Sequence, residues 1–216
     1  MSNGREFSFT RKDFDFLSKT INERTGIVVS EDKFNMFYSR LSRRVRALKL
    51  ASFKEYCAVV KNDRDGQETN ELINAITTNL TAFFRENHHF EYLSQTVIPE
   101  LMKNNKDRTV RIWSAGCSTG EEPYSLAITL KESSLTSQWD VKLQATDLDS
   151  NVLATASNGI YAMSRVEGMT KSRLKQWFYR GKGGKQGMVK VKPELNRMIS
   201  FAQLNLMDNW QVEQQD

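Results

Sequence analysis

The 216-residue chain combines 39% hydrophobic and 10% aromatic residues with a net charge of +5, enough apolar content to bury a sizeable core in one large or two small domains. No stretch approaches the roughly eighteen consecutive apolar residues of a membrane span, and the charged start from Met1 to Arg11 lacks the apolar core of a secretory signal, so a soluble cytoplasmic protein is expected. The two cysteines, Cys57 and Cys117, lie far apart without metal-ligand spacing, which argues against both a disulfide framework and a zinc site.

The first eighty or so residues read as all-helical, because apolar positions recur at helical spacing and the punctuation is that of helix caps. Thr10 caps a helix with Phe14, Leu17 and Ile21 on one face, and Gly26 is suited to end it. Ser30 or Glu31 opens a second helix. Ser52 followed by Glu55 has the capping-box spacing for a third, and residues 67–78 support a fourth. A longer helix over about 87–104 follows, bent or interrupted at Pro99.

From there strand and helix alternate: residues 110–114 and 141–146 are β-rich, residues 122–133 are helical, and residues 199–204 read as a third main strand. This is the βαβ pattern of a parallel sheet, so the fold class is α/β. The alternating run Met188-Val189-Lys190-Val191-Lys192, after a glycine-rich stretch, predicts a small antiparallel excursion. The divisions expected are a helical domain over 1–83, a linker helix over 84–109, and an α/β domain over 110–216 with a β-subdomain at about 178–197.

The loop Ser114-Ala115-Gly116-Cys117-Ser118-Thr119-Gly120-Glu121-Glu122-Pro123 joins the first strand to its helix, where glycines let a ligand approach the backbone. Gly116-x-Ser118-x-Gly120 has the spacing of a serine-hydrolase nucleophile elbow, but that chemistry needs a later histidine, and His88 and His89 both precede the loop. A dinucleotide site wants a different glycine spacing, and Glu121 and Glu122 at the helix start would repel phosphate. A cofactor with a cationic amino acid end suits these carboxylates better, and S-adenosylmethionine is such a cofactor. Asp147, ending the second strand, can accept hydrogen bonds from both ribose hydroxyls; alternatively Asp147 or Asp149 caps the next helix. Adjacent on a helix, His88 and His89 make a poor metal pair, and Cys117 has no later histidine to activate it.

Three motifs carry a resemblance to a known family: Thr78-Asn79-Leu80-Thr81-Ala82-Phe83-Phe84-Arg85; Trp113-Ser114-Ala115 continuing through Gly120-Glu121-Glu122-Pro123-Tyr124-Ser125; and Ala145-Thr146-Asp147-Leu148-Asp149. The chain resembles the CheR family of chemotaxis receptor methyltransferases. The resemblance implies a small helical N-terminal domain, then a Rossmann-like class I methyltransferase domain with an inserted three-stranded antiparallel β-subdomain. It further implies methyl transfer from S-adenosylmethionine to receptor glutamates, leaving S-adenosylhomocysteine, without a metal. Carried over by position, it places Asn79, Thr81 and Arg85 on the cofactor, Glu122 rather than Glu121 on its methionine end, Asp147 on the ribose, and Asn205 and Leu206 near the adenine. Arg85 is the one candidate for an active role, because a guanidinium can grip a carboxylate in bidentate fashion.

The partners follow from the same resemblance. From Lys33 to Lys49 there are six basic residues and no acidic one. Phe34, Phe37, Tyr38, Leu41, Val45 and Leu48 fall on one side of the helix, and Arg40, Arg43 and Arg46 project from the other. That face complements glutamate-rich receptor helices. Nucleic acid is not expected, since no aromatics interleave on the polar face. The loop from Arg180 through Gly181 to Gly187 is either a plain hairpin turn or a station for strand addition by a receptor's C-terminal peptide. A monomer without membrane insertion is expected. The family pattern continues past Asn205-Leu206 into further strands, so an incomplete catalytic domain, truncated at the C-terminus, is also expected. A catalytically inactive receptor-binding module is the alternative.

Overall fold

The computed structural model describes residues 5–133, 135, 138–210, 212 and 215–216. They form two compact units, one running through Thr78 with Asn205–Asn209 added, the other comprising Asn79–Leu204 and Trp210–Asp216.

The first unit is built from four α-helices, α1 (Arg11–Thr25), α2 (Phe34–Ala47), α3 (Phe53–Lys61) and α4 (Gln67–Ile76). Thr10 and Asp13 form a reciprocal capping box at the start of α1, and Gly26 closes it at φ 72°. The Ser52 side chain accepts from the Glu55 N–H, while the Glu55 carboxylate accepts from the Ala51 N–H rather than from Ser52. A single 3₁₀ turn, Glu31–Lys33, leads into α2. Helical spacing gathers Phe14, Leu17, Ile21, Phe37, Leu41, Val45, Phe53, Tyr56 and Leu72 into one core. Leu48 falls beyond the last turn of α2 and is exposed, so the apolar face ends one turn sooner than the sequence suggests.

In the second unit a helical run covers α5 (His88–Tyr92), a π-type segment Leu93–Val97, and α6 (Ile98–Asn104). The interruption expected at Pro99 is therefore displaced into the turn before it. Proline offers no N–H and crowds the carbonyl four residues back, so the preceding turn widens.

The parallel sheet has strand order β1-β2-β6, from β1 (Thr109–Ser114), β2 (Asp140–Asp147) and β6 (Ile199–Gln203). Helix α7 (Glu121–Glu132) links β1 to β2, and α8 (Ser150–Asn158) follows β2. This is a Rossmann-like α/β layer. Its register sets Ser114 opposite Ala145 and Asp147 opposite Gln203, so the carboxyl ends of neighbouring strands meet at one edge.

Between α8 and β6 lies an antiparallel sheet of order β3-β5-β4, made of β3 (Ile160–Ala162), β4 (Phe178–Arg180) and β5 (Met188–Val191). Helix α9 (Lys171–Trp177) precedes β4, and the short α10 (Pro193–Asn196) follows β5. The sheet takes its first strand from Ile160, upstream of the span 178–197. Three residues are too few to display a period of two, which is why β3 gave no signal. Tyr124, Ile128, Leu143, Tyr161, Phe178, Val189 and Leu195 make a core that both sheets share.

The division of the chain falls after Thr78, not after residue 83. Residues 79–87 are not helical, and Phe84 and Glu86 adopt positive φ of 52° and 53°. Among the described residues, no helix is long and apolar enough to cross a membrane.

Candidate functional site

The loop from Ala115 to Gly120 rises from the end of β1 and is tied to β2 by the Cys117 N–H, which donates to Thr146 O at 2.9 Å. Ser118 adopts a positive φ of 50°, and its N–H donates to Asp147 Oδ2 at 2.7 Å. The other Asp147 oxygen accepts from the Asp149 N–H at 2.9 Å. An ionised carboxylate has about four acceptor positions. Asp147 is half-buried at the strand end and retains room for further donors.

The sequence left the helix cap open between Asp147 and Asp149. Asp149 takes it: buried, it accepts from the Asn151 and Val152 N–H groups at the start of α8. Its second oxygen accepts from the Asn79 side-chain amide at 2.8 Å. Asp147 is thereby left for the loop and for whatever lies against it.

The neighbouring glutamates also divide. The Glu121 side chain is 1% exposed and paired with Arg165, and it accepts from Thr119 Oγ1 at 2.6 Å. Glu122 is exposed at the first turn of α7, where its Oε1 accepts from Ser114 Oγ at 2.7 Å. Both sit where the helix dipole favours negative charge. Only Glu122 is placed to meet a soluble ligand.

The two loop glycines have different reasons to be glycine. A Cβ on Gly120 would stand 2.8 Å from Ala156 Cβ and 2.9 Å from the Tyr161 hydroxyl, at a φ of +95°. A Cβ on Gly116 would meet nothing within 4 Å, and Gly116 is exposed with Ala115. Gly120 therefore closes the loop onto α8, and Gly116 leaves bare backbone open to a ligand.

The segment 79–85 packs beside this loop within the same unit. Asn79 O accepts from Ser118 Oγ at 3.1 Å, Thr81 O accepts from Arg165 Nη2 at 2.7 Å, and the Phe84 N–H donates to Ser125 Oγ at 2.9 Å. Arg85 is exposed and donates from Nη1 to Leu80 O at 3.0 Å, leaving most of its guanidinium donors to solvent. Asn79, Thr81, Glu122 and Asp147 thus come together around one loop, and Arg85 follows on the segment that carries Asn79 and Thr81. Asn205 and Leu206 group with the first unit, where the Asn205 amide donates to Arg24 O at 2.7 Å.

Cys117 is buried, and burial with the nearby Asp147 carboxylate pushes its thiol up to about 12. A thiol held protonated is no nucleophile at neutral pH. Among the described residues, no group of three His, Cys, Asp or Glu side chains is placed to hold a metal ion.

The cationic face of α2 is less open than its sequence implies. Arg40 is folded onto the end of α4, donating from Nη1 to Ile76 O at 2.6 Å and Thr77 O at 2.8 Å. Arg44 pairs with Glu68 and Glu71, and Arg46 with Glu6. Arg43 alone of the four arginines is exposed with no partner among the described residues. The acids that occupy these cations lie some twenty to forty residues away in the chain, so no local charge count reveals them. The last carbonyls of a helix lack internal partners and carry partial negative charge, which is what draws Arg40 inward. Arg40→Ala is expected to destabilise the chain by about 1–3 kcal/mol, read as a lower urea midpoint, with Arg43→Ala unchanged.

Gly181 and Gly187 bracket the loop between β4 and β5. The Gly181 N–H donates to Met188 O at 2.9 Å, and Gly187 O accepts from the Met163 N–H at 2.8 Å. The first bond closes the β4–β5 hairpin, and the second carries the pairing of β3 with β5 one step further. β4 is nevertheless an edge strand, with no strand beside it but β5 among the described residues.

Two residues central to the site were given no role by the sequence, although Ser125 closes the second motif. Arg165 and Ser125 reach it from 44 residues beyond Glu121 and 41 beyond Phe84, distances across which no spacing rule applies.

Comparison with known proteins adds to this geometry. The family model described as CheR methyltransferase, all-alpha domain, matches residues 12–77, and that described as CheR methyltransferase, SAM binding domain, matches residues 79–215. Chemotaxis protein methyltransferase 2 of Pseudomonas aeruginosa is 44% identical over 209 residues, covering 96% of this chain and 73% of its own. The chemotaxis protein methyltransferase of Escherichia coli is 40% identical over 194 residues, 90% of this chain and 66% of its own. A probable chemotaxis protein methyltransferase of Rhizobium etli is 41% identical over 187 residues, 86% of this chain and 70% of its own. The chain thus spans roughly two thirds to three quarters of the length of these relatives.

Proposed function

The chain belongs to the CheR methyltransferase family, and from that premise we propose that it transfers a methyl group from S-adenosylmethionine to glutamate side chains of membrane-bound chemoreceptors, giving methyl esters, as a cytoplasmic monomer. The observation that carries the proposal is Asp147, held at the end of β2 by the loop N–H of Ser118 beside the open backbone of Gly116. A carboxylate with free acceptor positions beside exposed backbone fits a ribose better than a phosphate.

The residues present fit the cofactor. Asp147 would accept from the ribose hydroxyls, and Glu122 would accept from the ammonium of the methionine end. Asn79 and Thr81 would border it from the adjacent segment, with Asn205 and Leu206 at the adenine. When bound, S-adenosylmethionine supplies a methyl group already activated by its sulfonium charge. An ionised glutamate is already a nucleophile, so the protein's part is alignment and charge placement. Arg85, with most of its guanidinium exposed, would hold a carboxylate of the cofactor or of the acceptor in line.

Receptor docking is assigned to Arg43 first, with Arg46 contributing where its exposed pair with Glu6 opens. Arg40 supports the fold beneath them. A receptor's C-terminal peptide would add to the edge of β4, near Gly181 and Gly187.

The test is transfer of label from methyl-tritiated S-adenosylmethionine to a chemoreceptor cytoplasmic fragment. Label is expected on the receptor and should be released as volatile methanol in mild base, as esters require. Label that survives base would overturn the glutamate assignment. Cofactor binding with no transfer at all would favour a receptor-binding module instead. Arg43→Ala should slow transfer while leaving cofactor affinity unchanged.

A further inference from the structure

One side chain outside the three sequence motifs joins three parts of the second unit. Arg165 closes the 3₁₀ turn Met163–Arg165 directly after β3, in the antiparallel insert. Its Nε donates to Glu121 Oε1 at 3.0 Å, its Nη2 reaches the same oxygen, and Nη2 also donates to Thr81 O at 2.7 Å. A single guanidinium therefore links the insert, the first residue of α7 and the segment carrying Asn79, Thr81 and Arg85.

The energetics make this link firm. The Glu121 side chain is 1% exposed against 40% for Arg165, so the buried carboxylate takes its charged partner from the insert. Around it, the Tyr161 hydroxyl donates to Thr119 O at 2.7 Å, and Ser125 Oγ donates to Glu121 O at 2.7 Å while accepting from Phe84 N–H. Asn79 and Phe84 are thus anchored at either side of Thr81, and Arg165 fixes the carbonyl between them. Leu80, next to Thr81, is 77% exposed, so the strip owes little of its shape to burial at that point.

We propose that Arg165 is a positioning residue for S-adenosylmethionine binding, setting the orientation of the Thr81 peptide and thereby of the strip that borders the cofactor. This rests on the functional reading above. It gives the antiparallel insert a mechanical role in cofactor binding through its first turn.

Three variants test it, each with thermal unfolding and calorimetric titration of S-adenosylmethionine. In Glu121→Gln the amide oxygen still accepts from Arg165, the Thr119 hydroxyl can turn to accept, and the tether to Thr81 stays; affinity within about twofold of the unaltered chain is expected. Glu121→Gln with Arg165→Met removes the buried charge and the tether together without leaving an unpaired buried charge, and affinity should fall by about tenfold, one charge-assisted hydrogen bond's worth. Arg165→Lys keeps the charge beside Glu121 but lacks the planar fork that reaches both oxygens, and should bind about tenfold more weakly even if the double variant does not fold. Turnover at saturating cofactor should recover in both weakened proteins, since the acceptor chemistry is untouched.

The proposal is overturned if Arg165→Lys, or a double variant that unfolds like the unaltered chain, binds within about twofold of it. It is equally overturned if Glu121→Gln alone loses as much affinity as the double variant, because the carboxylate rather than the tether would then be responsible. Absence of binding by the unaltered chain would instead sink the functional reading, and the proposal with it.

Discussion

Asp147→Ala is expected to raise the dissociation constant for S-adenosylmethionine by at least about a hundredfold. Two ribose hydroxyls donating to one carboxylate each contribute about 1.5–3 kcal/mol, and every 1.4 kcal/mol is tenfold in affinity. The substitution also strands the Ser118 and Asp149 N–H groups, which now donate to Asp147 at 2.7 and 2.9 Å. The loop is then less well ordered before the ligand arrives, and the loss grows. Asp147→Asn is expected to behave almost as badly, since its amide must present an N–H toward one of those two donors. Asp149→Ala supplies the contrast. It removes the cap of α8, a stability cost of about 1 kcal/mol, and takes one acceptor from the Asn79 amide, so the melting temperature should fall more than the affinity. Calorimetric titration with parallel unfolding curves separates the two. A dissociation constant within about threefold of the unaltered chain for a folded Asp147→Ala would remove Asp147 from the ribose.

Gly120→Ala is expected to cost the fold several kcal/mol, whereas Gly116→Ala should leave stability unchanged and weaken the cofactor. At Gly120 the backbone holds φ +95°, where a side chain costs about 1 kcal/mol or more, and the new methyl would press on Ala156 and the Tyr161 hydroxyl inside 3 Å. Overpacking of that kind adds about 1–3 kcal/mol. The Tyr161 hydroxyl cannot withdraw freely, because it donates to Thr119 O within the same loop. At Gly116 a methyl meets nothing, so a loss of affinity there measures how closely a ligand approaches the backbone. Urea unfolding of both variants, with cofactor titration of Gly116→Ala, checks the pair. Unchanged affinity in Gly116→Ala would mean that the ligand lies elsewhere along the loop.

The elements were legible wherever the signal is local. Caps at Thr10, Gly26 and Ser52 marked the helices of the first unit to within a residue or two, since a cap is a bond between near neighbours. The strand-helix alternation through residues 109–147 announced a parallel sheet, because a buried β-run and its crossover helix differ in period. The loop carboxylates and Asp147 stood out because their charge excludes phosphate, and the long motifs supplied the family. Strand β3 escaped notice for being three residues long, and the expected division was set at residue 83 inside the motif over 78–85, whereas the units part after Thr78.

By itself, then, the sequence determined the helical and α/β halves, the cofactor class and the identity of the loop that would hold it. Only the tertiary structure decided how like residues divide their labour. Glu121 is consumed by Arg165 while Glu122 stays open, Asp149 caps a helix while Asp147 faces the loop, and Gly120 packs while Gly116 is bare. Arg40 and Arg46 turn to the chain's own carbonyls and carboxylates while Arg43 remains exposed. The physical reason is common to all four cases. What a charged or small residue can do for a ligand depends on whether the fold has already satisfied it, and the groups that satisfy it come from distant parts of the chain that no local pattern connects.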